Sequence, residues 1–154
     1  MINIAINGFG RIGRRVFRLL QNNPNIQVVA INDLANAKTL SHLLKYDSIH
    51  GVLNEVVSFD MTHIIVNDRK ILLLNKQLPK DINWEPFDVD LVVESSGKFK
   101  IKESLKFHIK NGAKRVILSV PPIEDDIKTV VFGVNEHILV GHEQIVSCAS
   151  CTTN

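Results

Sequence analysis

Three glycines near the amino end of the chain have the spacing of a phosphate-binding turn. Gly8, Gly10 and Gly13 form a Gly-x-Gly-x-x-Gly pattern between an apolar run and a helical pattern. The first glycine permits a tight turn, the second lets a diphosphate approach the backbone, and the third lets the helix pack closely on the strand. The free N–H groups around Arg11 and Ile12 would face the ligand. This spacing predicts a dinucleotide site; a turn that only packs tightly is the alternative.

An acidic residue follows the second apolar run of the chain. Asp33 stands just past residues 26–31, about twenty residues beyond the third glycine. A carboxylate at this place accepts hydrogen bonds from the adenosine ribose and repels a 2′-phosphate. The sequence therefore predicts NAD rather than NADP as the cofactor, with a solvated aspartate in a turn as the alternative.

Small residues follow two further apolar runs. Ser96 and Gly97 come after residues 89–94, and Ser119 lies near the end of residues 116–120. Ligands of an open parallel sheet bind outside the carboxyl ends of its strands. We therefore expect these residues at the same crevice, where they can hydrogen-bond a ribose or an amide. Ordinary caps between strand and loop are the alternative.

Cys151 is the candidate nucleophile. It lies at a presumed helix start, where free N–H groups and the helix dipole favour a thiolate. A thiolate attacks carbonyl groups, so thioester chemistry is predicted, although none of the six histidines lies in a recognisable partner motif.

Cys148 and Cys151 also have Cys-x-x-Cys spacing. A zinc site would need two more ligands, so no metal is expected, and a thiol redox module is the alternative function.

Strand and helix patterns alternate along the chain, which predicts an α/β fold of the Rossmann type, doubly wound around a mainly parallel sheet. A β-hairpin region over 56–74, with Asn67-Asp68 as its tight turn, is predicted as an insertion between the second and third parallel strands. Residues 46–53 are expected to form a loop, and His108 is expected in the core. The predicted strands are 2–6, 26–31, 89–94, 116–120, 129–132 and 144–147, and the predicted helices are 14–21, 37–45 and 101–111.

Composition excludes several classes of protein. The 154 residues, 45% of them hydrophobic, are enough for one globular domain with a real core. A net charge of +2 argues against nucleic acid as a partner, and no apolar stretch is long enough for a membrane span. Two cysteines near one end do not make a disulfide framework, so we expect a cytoplasmic protein.

The last residues have the pattern of a strand leading into a helix that has no room to continue. We therefore expect a fragment of a longer protein. Such a truncation would expose apolar surface, so a plain interaction module is a further alternative.

The whole chain resembles the amino-terminal, NAD-binding half of phosphorylating glyceraldehyde-3-phosphate dehydrogenase. Five motifs carry this resemblance in chain order, and the last is the most specific. They are Ile6-Asn7-Gly8-Phe9-Gly10-Arg11-Ile12-Gly13-Arg14, Ala30-Ile31-Asn32-Asp33, Leu44-Lys45-Tyr46-Asp47-Ser48-x-His50-Gly51, Gly112-Ala113-Lys114-Arg115-Val116 and Ala149-Ser150-Cys151-Thr152-Thr153-Asn154. Because the motifs run from one end to the other, the resemblance covers all 154 residues.

The resemblance implies a two-stage oxidation of glyceraldehyde-3-phosphate. Cys151 would add to the aldehyde as a thiolate, hydride would pass to NAD, and phosphate would release the thioester as 1,3-bisphosphoglycerate. The backbone N–H of Cys151 would help to stabilise the oxyanion, and Ser150 and Thr152 would line the substrate phosphate site. The residues that match NAD contacts of the family are Arg11, Ile12, Asp33, Ser96, Gly97 and Ser119.

By the same resemblance, residues 1–149 form the NAD-binding domain and 150–154 begin the catalytic domain, whose histidine lies in a second half. The parent is expected to be a glycolytic enzyme that forms a homotetramer. The 154 residues alone are expected to bind NAD without sustained turnover. Cys148 stands where the family usually has Asn, and Gln77 where it has Lys or Arg. An erythrose-4-phosphate dehydrogenase, which more often has Glu in place of Asp33, is the second choice.

Overall fold

Strands and helices alternate along the chain, and the computed structural model describes all 154 residues. The helices are α1 (Arg11–Leu20), α2 (Ala37–Lys45) and α3 (Lys102–Lys110). The strands are β1 (Ile2–Asn7), β2 (Ile26–Asn32), β3 (Tyr46–Asp47), β4 (Gly51–Val52), β5 (Val57–Phe59), β6 (His63–Val66), β7 (Arg69–Leu74), β8 (Leu91–Glu94), β9 (Arg115–Leu118), β10 (Lys128–Thr129) and β11 (Ile145–Ser147). Short 3-10 turns lie at Pro79–Asp81, Glu85–Phe87 and Glu136–Ile138.

The main sheet has nine strands in the order β10-β11-β9-β8-β1-β2-β7-β6-β5. Neighbours from β10 to β7 pair in parallel, whereas β6 and β5 continue the sheet antiparallel. The succession β7-β2-β1-β8-β9-β11 is the strand order of a doubly wound sheet. The predicted Rossmann-type fold is thus confirmed, and its strand order reverses between β1 and β8.

The hairpin after α2 is present, but its last strand has a different role from the predicted one. Asn67 and Asp68 have φ values of +47° and +65°, the left-handed conformation that a two-residue type I′ turn needs. β7 leaves this turn and pairs in parallel with β2, so it is the third parallel strand and not part of an insertion. Residues 46–53, predicted as a loop, contain the two-residue strands β3 and β4.

Local signals explain the helix boundaries. α1 begins at Arg11, three residues before the predicted residue 14, and Gly10 is its N-cap. α2 has its predicted bounds, and the Asn36 side chain caps it by accepting a hydrogen bond from the Thr39 amide at 2.9 Å. α3 ends before Gly112, whose φ of +106° suits a helix terminator.

Two apolar layers cover the two faces of the sheet. Successive strand residues point to opposite faces, so Ile4 and Ile6 pack towards α1 whereas Ala5 packs towards the other side. On the first face Phe9 and Phe17 meet edge to face at 5.6 Å. The second face holds Trp84, Val92, Leu105, Val116 and Leu118 around α3. None of the helices combines the length and the apolar composition that a bilayer span requires.

Candidate functional site

A cleft of about 300 Å³ opens at the carboxyl ends of β1, β2 and β8, beside the reversal of strand order. Parallel sheets of this kind place ligands at that reversal. Four of the predicted site residues line the cleft, namely Gly8, Gly10, Asp33 and Ser96. The other lining residues are Asn7, Asn32, Leu34, Lys76, Gln77, Ser95, Lys98 and Phe99.

The three glycines of the turn meet three different steric demands. Gly8 has φ of +90°, and a Cβ there would lie 2.5 Å from the backbone N and Cα of Ser96. A Cβ on Gly13 would collide with the carbonyl oxygen of Gly8, so this glycine lets α1 press onto the turn. Gly10 is different, because its Cβ would meet nothing within 4 Å. The backbone at Gly10 therefore faces open space in the cleft.

The start of α1 offers unused hydrogen-bond donors. Gly10 is the N-cap without a side-chain cap bond, and its carbonyl accepts from the Arg14 amide at 3.0 Å. The amides of Gly10, Arg11 and Ile12 donate to no other group of the chain. Arg11 and Ile12 are exposed. Free amides at a helix start, together with the helix dipole, attract phosphate groups.

Asp33 follows β2 and is hydrogen-bonded directly to the glycine turn. Its Oδ2 accepts from the Phe9 amide at 2.7 Å, and its Oδ1 accepts from the Ala35 amide at 2.9 Å. A carboxylate has about four acceptor positions, so lone pairs remain for a ribose hydroxyl. Asp33 therefore orients the turn and still faces the cleft.

Arg14 braces the same turn from the helix side. Its Nη1 donates to the Phe9 carbonyl oxygen at 2.9 Å. Partial burial lowers the pKa of Arg14, while the nearby carboxylates of Asp47 and Asp33 oppose that shift. At the mouth of the cleft, Lys76 and Lys98 supply positive charge for an anionic ligand.

A buried polar cluster supports the floor of the cleft. Asn7, Asn32 and Glu94 are at most 4% exposed and lie at the ends of three adjacent strands. Asn32 Nδ2 donates to Asn7 Oδ1 at 2.7 Å, and Asn7 Nδ2 donates to Glu94 Oε2. Glu94 Oε2 also contacts Nε2 of His108 at 3.0 Å. His108 is fully buried, so its predicted place in the core is confirmed.

Some predicted site residues lie beside the cleft without lining it. Gly97 is exposed with φ of +72°, in the turn after Ser96. Ser119 is half-buried, and its amide donates to the Glu94 carbonyl oxygen at 3.0 Å. Both residues are at the carboxyl edge of the sheet, as the sequence predicts, but the strand order places Ser119 one strand further from the glycine turn.

The Cys151 segment follows β11 and reaches the same edge of the sheet. The Cys148 amide donates to the Leu118 carbonyl oxygen at 2.9 Å. Residues 151–153 form one turn, in which Ser150 Oγ accepts from the Thr153 amide at 3.0 Å as an N-cap does. The hydroxyls of Ser150 and Thr152 lie 2.9 Å apart. Cys151 thus stands at the first position of the turn.

Both cysteines are free thiols at exposed residues. Partial burial of the sulfur raises the pKa of the Cys148 thiol above its usual value. This environment does not favour a thiolate at Cys148. No histidine side chain hydrogen-bonds to either cysteine.

The residues present fit a dinucleotide. The amides from Gly10 to Ile12 have no partner, a Cβ on Gly10 would meet no atom, and Asp33 keeps acceptor capacity at the end of β2. The fold and the cleft together define a Rossmann-type dinucleotide-binding domain.

Comparison with known proteins identifies the family. The family described as glyceraldehyde 3-phosphate dehydrogenase, NAD binding domain, matches residues 2–102. The chain belongs to this family, whose cofactor is NAD. The predicted resemblance is confirmed over its full length by the relatives below.

Curated relatives cover the whole chain. It is 49% identical over 155 residues to glyceraldehyde-3-phosphate dehydrogenase 1 of Bacillus cereus, covering 100% of this chain and 46% of that protein. It is 46% identical over 153 residues to glyceraldehyde-3-phosphate dehydrogenase of Mycoplasma pneumoniae, covering 99% of this chain and 45% of that protein. The Thermotoga maritima enzyme of the same name is 47% identical over 156 residues, covering 100% of this chain and 46% of that protein. The chain spans about half the length of the curated relatives it matches.

These names do not favour either alternative function, the erythrose-4-phosphate dehydrogenase or the thiol redox module.

Sequence reasoning missed several residues of the cleft, among them Asn32, Lys76, Lys98 and Phe99. Asn32 carried a usable signal, because it ends a buried strand directly before Asp33. Lys76, Lys98 and Phe99 lie in loops whose course depends on tertiary contacts, so no periodic pattern marks them.

Proposed function

We propose that this chain is the coenzyme-binding half of a glycolytic glyceraldehyde-3-phosphate dehydrogenase, and that NAD binds in the cleft beside the glycine turn. The observation that carries the proposal is the row of unpaired amides at the start of α1, which begins at Gly10, a residue that lines the cleft together with Asp33. The parent enzyme oxidises and phosphorylates glyceraldehyde-3-phosphate to 1,3-bisphosphoglycerate.

Each part of the cleft has a separate task in this proposal. The amides of Gly10, Arg11 and Ile12 hold the diphosphate, which Gly8 and Gly13 make possible by their close packing. Asp33 accepts hydrogen bonds from the adenosine ribose and disfavours a 2′-phosphate. Further contacts to NAD come from Ser96, Gly97 and Ser119. NAD, when bound, supplies the hydride acceptor for the oxidation.

The reacting group of the chain is the Cys151 thiolate. Its sulfur forms a bond to the aldehyde carbon of glyceraldehyde-3-phosphate, and after oxidation the same carbon is held as a thioester. An oxygen of inorganic phosphate then attacks this carbon, the carbon–sulfur bond breaks, and the thiolate returns. The Cys151 amide donates to the oxyanion. Ser150 and Thr152 bind the substrate phosphate, and their neighbouring hydroxyls support this role.

Residues 1–149 form the coenzyme domain in this proposal, and 150–154 begin the catalytic domain. The parent works in the cytoplasm as a homotetramer, with no nucleic acid or membrane as partner. The 154 residues by themselves bind NAD without sustained turnover, because no histidine of the chain is hydrogen-bonded to Cys151 to serve as its base. Loss of a general base alone typically slows a reaction by about 10²–10⁴-fold.

Calorimetric titration with NAD and NADP tests the coenzyme site. The chain should bind NAD more tightly than NADP, and Asp33→Ala should weaken NAD more than NADP. The comparison of the two coenzymes matters, because Asp33 also holds the Phe9 and Ala35 amides. A merely loosened turn would weaken both coenzymes equally. No heat of binding from folded wild-type protein, or equal affinity for both coenzymes, would contradict the proposed site.

An enzymatic assay tests the statement about turnover. The chain is mixed with NAD, glyceraldehyde-3-phosphate and phosphate, and NADH is followed by its absorbance. We expect no sustained production. Steady NADH formation that a Cys151→Ser variant abolishes would show that these residues are active alone, and would overturn this part of the proposal.

A further inference from the structure

Glu94, the last residue of β8, is a fully buried carboxylate next to the cleft. Four hydrogen bonds surround it. Oε1 accepts from the Ser96 amide at 2.9 Å and from the Ser96 hydroxyl, and Oε2 accepts from Asn7 Nδ2 and lies 3.0 Å from His108 Nε2. Burying a carboxylate is costly unless its oxygens are satisfied, and here both are.

The hydrogen positions in this cluster follow from one tryptophan. Trp84 Nε1 can only donate, and it donates to His108 Nδ1 at 3.0 Å. The Nδ1 atom must therefore be the acceptor of the imidazole, so the ring hydrogen is on Nε2 and points at Glu94. The Asn7 amide is oriented in the same way, since its Oδ1 already accepts from Asn32. Every partner of Glu94 thus presents a hydrogen to it.

A carboxylate is the only side chain that accepts at both of its terminal atoms. A glutamine of the same shape carries an NH₂ group at one end. That group would face either the Ser96 amide or the pair formed by Asn7 and His108, and in both cases two donors would oppose each other. The site therefore demands the charged residue and not merely its volume.

The turn that Glu94 holds is part of the wall of the coenzyme cleft. The backbone of Ser96 lies so close to Gly8 that no Cβ fits between them. Ser95 Oγ donates to the Gly8 carbonyl oxygen at 2.6 Å. The glycine turn and the turn at Ser96 are thus packed on each other, and Glu94 fixes the second against the first.

We infer that Glu94 is a positioning residue for the coenzyme, a role that rests on the proposed function. Its carboxylate holds the Ser96 turn against Gly8 before any ligand arrives, so the cleft is formed in advance. A preformed site binds more tightly because less order has to be imposed when the ligand enters. Glu94 itself is buried beneath the turn and acts through Ser96.

Two variants separate this role from ordinary core stability. Glu94→Gln leaves a donor opposite the Ser96 amide or opposite Asn7 and His108. The control Ile64→Ala opens a cavity at a fully buried position of β6, a strand that supplies no residue to the cleft, and leaves every contact of Glu94 in place. Both variants should unfold at lower denaturant concentration. Only Glu94→Gln should weaken NAD, by about tenfold, which corresponds to the loss of one charge-assisted hydrogen bond. The Kd of Ile64→Ala should stay within about twofold of wild type on the same scale.

Amide hydrogen exchange gives a second readout that general destabilisation does not reproduce. The Ser96 amide should exchange slowly in wild-type protein without NAD, and its exchange should be faster in Glu94→Gln than in Ile64→Ala. Affinity for NAD is measured by calorimetry without denaturant, on variants whose native fold has been verified by circular dichroism.

The outcomes are distinguishable. An unchanged NAD affinity in Glu94→Gln, or an equal loss in both variants, overturns the inference and leaves the proposed function intact. Failure of the wild type to bind NAD overturns the proposed function and the inference with it. If Glu94→Gln does not fold, exchange in the wild type decides, because a Ser96 amide that exchanges as freely as exposed loop amides contradicts a preformed turn.

Discussion

The two ends of the same parallel strands are built in opposite ways. At the carboxyl end, buried polar side chains satisfy one another beneath a cleft of about 300 Å³, and the free amides at the start of α1 begin at Gly10 in its lining. At the amino end lies a larger cleft of about 590 Å³. Its wall is mainly apolar, with Ile2, Leu91, Ile117 and Val146 among its residues, and its charged groups pair at the rim.

Volume therefore does not identify the proposed coenzyme site. A dinucleotide needs donors for its diphosphate and acceptors for its ribose hydroxyls. The smaller cleft offers both, whereas Lys114 at the larger one is already paired with Asp90 at 2.7 Å and Asp88 at 3.3 Å. Strand direction produces this asymmetry, because the turns that follow parallel strands all gather at one edge.

The largest effect is expected from a side chain inserted between the glycine turn and the Ser96 turn at the carboxyl edge. Gly8→Ala puts a Cβ 2.5 Å from the Ser96 backbone and forces a left-handed conformation with φ of +90° on an alanine. Strain and overpacking together should lower the free energy of unfolding by about 3 kcal/mol or more. Denaturant unfolding measures this, followed by the emission of Trp84, the single and fully buried tryptophan.

Gly51→Ala is the matched control for Gly8→Ala. Gly51 also has a left-handed φ of +73°, but its Cβ would meet nothing within 4 Å. Only the conformational part of the penalty remains, about 1 kcal/mol. Equal losses in the two variants would mean that contact with Ser96 contributes nothing.

Gly10→Ala should have a smaller effect on folding and a selective effect on binding. A Cβ on Gly10 meets no atom of the chain, and its φ of −72° suits an alanine. The free energy of unfolding should fall by about 1 kcal/mol or less, the difference between the two residues at an N-cap. The methyl group would occupy the approach to the free amides, so NAD affinity should fall about tenfold or more.

Calorimetry with NAD and unfolding by denaturant together test Gly10→Ala. The useful comparison is with Gly51→Ala, which lies away from the cleft and should bind NAD as the wild type does. A Gly10→Ala variant that retains wild-type affinity would show that the diphosphate does not approach the backbone at this glycine.

The contrast between the two edges was only partly predictable from sequence. The glycine spacing, the apolar runs and Asp33 predicted the fold and placed the cleft, because strand and helix periods and the needs of a tight turn are local properties. The identity of β7 as the third parallel strand was missed. Its sequence favours a strand both within a hairpin insertion and within the parallel sheet. Only its pairing with β2 decides between these two roles.

The buried polar cluster beneath the cleft could not be predicted from the sequence, for a different physical reason. Asn7, Glu94 and His108 are distant in sequence, and each alone reads as an ordinary polar residue. Their roles arise from donor and acceptor matching across β1, β8 and α3. His108 was placed in the core by helix periodicity, but its link between Trp84 and Glu94 required three-dimensional contacts.

The smallest effect is expected at the amino edge, from the ion pair of Asp90 with Lys114. The Lys114 side chain, and then the Asn3 amide at 2.8 Å, lower the pKa of Asp90 below its usual value. A lowered folded-state pKa adds stability above the unfolded-state value of about 3.9. That stability is lost as the pH falls through the lower folded-state pKa. Asp90→Asn keeps an oxygen for the Asn3 amide and removes the charge, so it should be slightly less stable at neutral pH.

Unfolding measured between neutral pH and about pH 2 tests this expectation. The stability difference between wild type and Asp90→Asn should shrink below about pH 4 and should also shrink in high salt, because both side chains reach solvent. Asp88→Asn is the control, with a longer contact of 3.3 Å and a more exposed carboxylate, and should change less. A difference for Asp90→Asn that persists in acid would mean that the charge of Asp90 does not account for the stability of this edge.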